Sequence, residues 1–299
     1  MKKNKIFMKK ILFFIALGLL ILNISPSCKD ENIDDSILGN DTTIINDTTI
    51  IDDTEENQPL NLGKFSVSTT QQIAFSSGNL QYHPLNNQWR FAESQLDCVG
   101  DANANISPTY DGWIDMFGWG TGDDPTRTIQ DNGSYSTFVD WGTNSIGTDT
   151  ANTWRTMSAD EWNYILSYRP NATALNGIAH INGVNGLILL PDDWVGIEGL
   201  TFNSGAYGHW SREYYAVHNT FTLEQWQQME EAGAIFLPTY GFRQGNSIYG
   251  SGSKGYYWTT SPNGGCGPMN LEFSAEYIKI NSAYRYSGFS VRLVKNIQQ

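Results

Sequence analysis

The tail of the chain reads FLPTYGFRQGNSIYG (236–250), GYYWTTS (255–261), LEFSAEYIKI (271–280) and GFSVRLV (288–294). These are short alternating stretches parted by glycine-rich loops, the pattern of half-buried strands joined by turns. Leu271 and Phe273 alternate with Glu272 and Ser274, and Val291 and Leu293 alternate with Ser290 and Arg292. Trp258, Phe273, Phe289, Val291 and Leu293 are therefore expected in a core, with Tyr256 on the Trp258 side by strand parity. Tyr257 has the opposite parity and is expected to face out, together with Tyr249, Tyr277, Lys279, Tyr284 and Tyr286. With Asn270 and Asn281 these are the candidate ligand-binding residues. Rigid aromatics set among small polar side chains compose binding loops, where they stack on sugar rings or fill pockets on a protein partner. The same composition also fits aromatics scattered over a surface without a common role.

Upstream, Phe65 and Val67, then Ile73 and Phe75, alternate with small or polar residues, and a turn at 84–87 joins 80–82 to 89–91. The region 97–152 is rich in Gly, Asp, Asn and Thr and reads as loop, pinned to the core by Trp113, Phe117, Trp119 and Trp141. Two helices are signalled. Ser158 and Glu161 form a capping box, with Met157 and Trp162 as its hydrophobic staple, and Pro170 stops the helix. Thr222 and Gln225 repeat the arrangement, with Phe221 and Trp226 as the staple and Gly233 as the terminator. Between them 186–191 reads as a buried strand. The expected fold class is α+β: two helices on short mixed or antiparallel sheets with long loops.

The N-terminus is read separately. Lys2, Lys3, Lys5, Lys9 and Lys10 precede an apolar run over 11–24, too short to span a bilayer, and Ser25 to Cys28 look like a bacterial lipoprotein cleavage site. Residues 1–27 are expected to be a lipoprotein signal peptide, with Cys28 lipidated. Residues 28–58 follow as an acidic tether that repels itself, and 59–299 as one domain. Without the signal, 13 basic side chains face 31 acidic ones, a net charge of about −18. Phosphate backbones repel such a chain, so nucleic acid is not an expected partner, and the membrane is reached only through the lipid. Cys98 and Cys266 are left either to form one disulfide or to stay free.

The segment 155–164, RTMSADEWNY, resembles the R-L-x-x-x-x-E-W-x-Y pattern of the formylglycine-generating (sulfatase-modifying factor) superfamily, with Thr156 in place of its leucine. Leu237-Pro238, Gly241 to Arg243, Gly255 to Trp258 and Gly288 to Arg292 look like the Fibrobacter succinogenes major paralogous domains found on Bacteroidetes surface lipoproteins. The resemblance covers roughly residues 60–295 and implies a C-type lectin-like fold in its sulfatase-modifying-factor variant. The Lys-Asp-Glu after Cys28 is similar to the signal that exports Bacteroidetes lipoproteins to the cell surface, so display on the outer membrane is implied. The fold also carries the variable proteins of diversity-generating retroelements, whose variable segment ends much like 288–294.

Formylglycine-generating enzymes use two closely spaced cysteines near their C-terminus, whereas Cys266 stands alone here, so no catalytic residues are expected. His83, His180, His209 and His218 lack ligand spacing, and Asp123-Asp124 and Asp192-Asp193 read as turn caps rather than calcium ligands. No metal or cofactor is expected. The reading is a cell-surface lipoprotein with a non-catalytic domain for a glycan or protein ligand. The alternatives are an accessory subunit of a surface assembly, a diversified binding protein, and last an enzyme of the formylglycine type.

Overall fold

The computed structural model describes residues 63–264 and 267–298. The expected signal peptide, the tether with Cys28, and Cys266 lie outside the described residues, and Cys98 is a free cysteine. At the start, β1 (Phe65–Ser66) pairs antiparallel with β2 (Gln72–Phe75), and β3 (Leu80–His83) turns into β4 (Gln88–Phe91) through the expected turn. The long region that follows is loop with short 3-10 turns, as its composition predicts. Phe117, Trp119 and Trp141 are buried in the core, but Trp113 lies half-exposed under the Arg90 guanidinium, 3.9 Å from the ring centroid. One polar knot also holds these loops. The Asn103 side-chain oxygen accepts from the backbone N–H groups of Asp115 and Met116, and its amide donates to Gly100 O and to Asp115 Oδ1.

Both capping boxes form. Ser158 Oγ accepts from Glu161 N (3.2 Å) and Glu161 Oε2 accepts from Ser158 N (2.7 Å), opening α1 (Ala159–Asn163). A π-turn over Tyr164–Tyr168 continues it, and Arg169 is already extended before Pro170, where the ring excludes helical backbone. Arg155 grips Glu161 with two parallel hydrogen bonds (2.6 and 2.9 Å), so the Arg and Glu of the recognised segment brace the helix start. β5 (Asn176–Ile181) and β6 (Val184–Leu189) form a hairpin whose turn, Asn182-Gly183, takes positive φ at both positions, as a type I′ turn requires. A one-turn helix, α2 (Tyr214–His218), has no cap signal and is not foreseen from sequence. After β7 (Thr220–Phe221), α3 (Leu223–Glu231) opens on the Thr222–Gln225 box and closes at Gly233. There the amides of Gly233 and Ala234 return to Glu230 O and Met229 O, a Schellman closure.

β8 (Ile235–Pro238) completes a four-stranded sheet in the order β7-β5-β6-β8. Both its faces are covered. Leu187, Leu189, Ile235 and Leu237 point into one core with Trp162 and Phe75, while Ile188, Leu190 and Phe236 point into another with Trp226 and Met229. Hence 186–191 is apolar without alternation, as double burial demands. The tail then forms the hairpin β9 (Phe242–Gln244) and β10 (Ser247–Tyr249), and the sheet β11 (Lys254–Trp258), β12 (Met269–Ser274) and β13 (Ile278–Ser282). The last strand, β14 (Val294–Ile297), returns to pair with β2. The class is α+β with few helices and several small sheets, and all described residues fall in one compact unit.

The stretch 288–294 departs from expectation. It is buried throughout and enters a strand only at Val294. Its backbone threads between neighbours, bonding Phe117, Trp258, Leu80 and Ser76 in turn. Ser290 and Arg292 therefore have no solvent face. Arg292 is enclosed without a carboxylate partner among the described residues and donates to Phe236 O (2.6 Å) and Gln95 Oε1 (2.8 Å). Burial lowers its pKa to about 10. Among the described residues no helix is long and apolar enough to cross a membrane.

Candidate functional site

The register of the three-stranded tail sheet sets two rows of side chains on its outer face. One row runs Tyr256–Glu272–Lys279 and the next Trp258–Asn270–Asn281. The β9–β10 hairpin lays Phe242 edge-on to Tyr256 with centroids 5.4 Å apart. Phe289 stacks on Tyr256 (4.8 Å) and Trp258 (4.3 Å). Phe242, Tyr256 and Phe289, with Gln244, Ser282, Ala283, Tyr284 and Ser287, line an open groove of about 430 Å³. Among the described residues no lining side chain is charged. Tyr284 stands 60% exposed at its rim and stacks on Tyr286 at 5.1 Å, and Tyr249 (50% exposed) stacks on Phe242 at 5.4 Å.

Beside the groove lies a polar cluster around Glu272. Its carboxylate accepts from Tyr277 Oη (2.5 Å) and Asn281 Nδ2 (2.6 Å), and Lys254 Nζ stands 3.6 Å away. Lys279 Nζ lies 4.0 Å from the Tyr277 ring centroid. Burial alone would push the Glu272 carboxyl up, but the two hydrogen bonds and both ammonium groups outweigh it and hold it below the usual range. Burial, with the Glu272 charge beside it, pushes Tyr256 up to about 12, so its hydroxyl remains a donor at neutral pH. An aromatic floor thus adjoins a fixed set of donors and acceptors, the composition of a site that holds a polar, ring-bearing ligand.

Of the eight candidate residues, six reach this surface. Tyr249, Tyr284 and Tyr286 belong to the aromatic end, and Tyr277, Lys279 and Asn281 to the polar end. Two do not. Tyr257 is fully buried: its ring joins the core with Leu271 and Phe273, and its hydroxyl donates to Pro238 O (3.1 Å) and accepts from Asn79 Nδ2 (3.2 Å). Parity placed Trp258 in a core correctly, but it could not show that both faces of this sheet are covered, so Tyr257 is buried on one face as Trp258 is on the other. Asn270 is only 1% exposed, and among the described residues neither polar atom of its side-chain amide has a hydrogen-bond partner. Sequence reasoning missed Phe242, Tyr256, Phe289, Glu272 and Lys254. A signal existed for Glu272, which shares the strand parity of the candidate Asn270, whereas the parity of Tyr256 with Trp258 points to the core.

Other polar groups are occupied within the fold. Asp192 accepts from Ser66 N and pairs with Arg169 (3.0 Å), and Asp124 pairs with Arg127 (3.0 Å). Among the described residues no group of three or more His, Cys, Asp or Glu is placed to hold a metal ion. Burial, reinforced by the Asp115 charge, pushes the Cys98 thiol up to about 12. A second cleft, between the β5–β6 hairpin and α2, is lined by His180, Asn185, Arg212 and Glu213. There His180 Nδ1 is locked to Asn185 Oδ1 at 2.7 Å. Comparison with protein-family models, curated proteins and solved structures finds no match.

Proposed function

We propose that this chain is a lipid-anchored surface protein whose domain, of the C-type lectin-like kind in its sulfatase-modifying-factor variant, binds a glycan without catalysis. The lipoprotein and outer-membrane parts rest on the N-terminal sequence, and the fold name on the 155–164 and tail resemblances. The binding part rests on one observation, the uncharged aromatic groove beside the Glu272 cluster. Sugar rings present C–H faces to aromatic rings and hydroxyls to fixed donors and acceptors, and the groove provides both. Cys98, the one described cysteine, is protonated at neutral pH, which argues against a thiolate mechanism there.

The test is binding of the full chain, in detergent, to a broad glycan panel, with calcium and again with chelator. Wild type is expected to bind in both conditions, and Tyr284→Ala to weaken binding about tenfold or more while leaving the unfolding midpoint unchanged. Binding abolished by chelator would replace stacking with a calcium site. Silence across the panel would sink the glycan reading and turn the search to a protein partner.

A further inference from the structure

A second set of rings, two exposed and three half-buried, lies on α2 and the segment that leads into it. Trp210, His209, Tyr214, Tyr207 and His218 follow one another with centroid separations of 5.9, 4.1, 4.5 and 6.2 Å. Trp210 is 76% exposed and Tyr207 is exposed as well. Burial does not account for Trp210 and Tyr207. Nor is the segment loosely held. Gly205 exchanges backbone hydrogen bonds with the β5 strand, to Asn176 O (2.7 Å) and from Ile178 N (3.0 Å). His218 Nε2 meets Ser204 O at 3.0 Å, and Asn219 Nδ2 donates to Asn203 O at 2.8 Å. Rings presented to water on a pinned backbone lose little freedom when a ligand arrives.

This ladder is continuous with the groove. Gly208 N donates to Ala275 O, which sets the ladder against the β12–β13 turn, and Tyr214 packs there with Ala275 and Ile278. That turn carries Tyr277, whose ring faces Lys279 and, at 5.8 Å, Lys254. Lys254 Nζ in turn lies 3.6 Å from Glu272 Oε1, and Glu272 sits opposite Tyr256 of the groove wall in the strand register. Aromatic ladder, polar saddle and aromatic groove are thus neighbours in that order along the tail sheet. The saddle's charges are largely balanced, two ammonium groups against Glu272 and the neighbouring Glu276.

We propose that the ladder is a second subsite of the same binding face, and that the ligand is a linear, neutral oligosaccharide long enough to occupy both ends. The inference rests on the glycan reading of the groove. A terminal sugar needs one aromatic floor, whereas two floors joined by a lane of hydrogen-bonding groups suit a chain of sugar rings. Linking two weak contacts through one ligand raises affinity without any new contact.

The experiment is titration of the full chain with size-fractionated neutral oligosaccharides, gluco-, manno-, xylo- and N-acetylglucosamine series of about two to ten units. Wild type, Trp210→Ala and Tyr284→Ala are compared. In the series that binds, wild-type affinity is expected to climb about tenfold or more once the chain spans both floors. Trp210→Ala should erase that climb while leaving the shortest binders unaffected, and Tyr284→Ala should weaken every length. Affinity independent of length, or a Trp210→Ala protein that keeps the climb, overturns the second subsite and leaves the groove reading intact. No binding at any length overturns both.

Discussion

At the scale of single residues, the loops are held by polar side chains that no periodic pattern announces. The Asn103 side chain makes four hydrogen bonds in a buried site, three of them to backbone groups. Asn103→Ala strips the partners from the amides of Asp115 and Met116 and is expected to cost about 2–4 kcal/mol in urea unfolding. Asp115 supplies a pH signature. Burial pushes its carboxyl up to about 6, against the hydrogen bonds from Val99 and Asn103. The unfolded carboxyl titrates near 3.9, so at pH 5 the folded chain holds a proton that the unfolded chain has mostly lost. Stability from this group is therefore present at low pH and is lost as pH rises through about 6. Wild type is expected to gain about 1 kcal/mol between pH 7 and pH 5 relative to Asp115→Asn. Equal pH slopes in the two proteins would refute it. Glu272, held low, acts in the opposite sense and only at more acidic pH, where it protonates.

Among elements, the helix ends were the most legible features, because caps depend on residues within one turn of each other. Ser158 with Glu161 and Thr222 with Gln225 close their boxes as their spacing predicts. Gly233 adopts φ +89, and a Cβ there would meet the Gly63 backbone at 2.6 Å. Gly233→Ala combines a left-handed penalty with a backbone clash and is expected to lower stability by about 2 kcal/mol or more, read from the thermal midpoint. Strand alternation was legible in a weaker way. It separated Leu271 and Phe273 from Glu272 correctly, but could not say that β11 is covered on both faces, so that Tyr257 is buried as well as Trp258. The alternation at 288–294 misled for a related reason: a segment enclosed on every side can carry Arg292 inward when backbone carbonyls receive its protons.

In the whole molecule, function depends on what the topology brings together. Phe242, Tyr256, Tyr284 and Phe289 come from four different segments of the tail, and they share a groove only because the β9–β10 hairpin folds over the outer face of the tail sheet. The ladder joins that face through a contact between Gly208 and Ala275, with nothing in the local sequence of either to indicate it. The sequence by itself determined the α+β class, both capped helices, a buried strand at 186–191 (found at Val184–Leu189) and the aromatic wealth of the tail. Each of these is set by neighbours a few residues apart or by composition. Only the tertiary structure decided that Tyr256 rather than Tyr257 faces the groove, that Glu272 gathers Tyr277, Lys254 and Asn281, and that Arg292 is enclosed. Those outcomes turn on how each surface of a sheet is covered, and that depends on elements packed against it from distant parts of the chain.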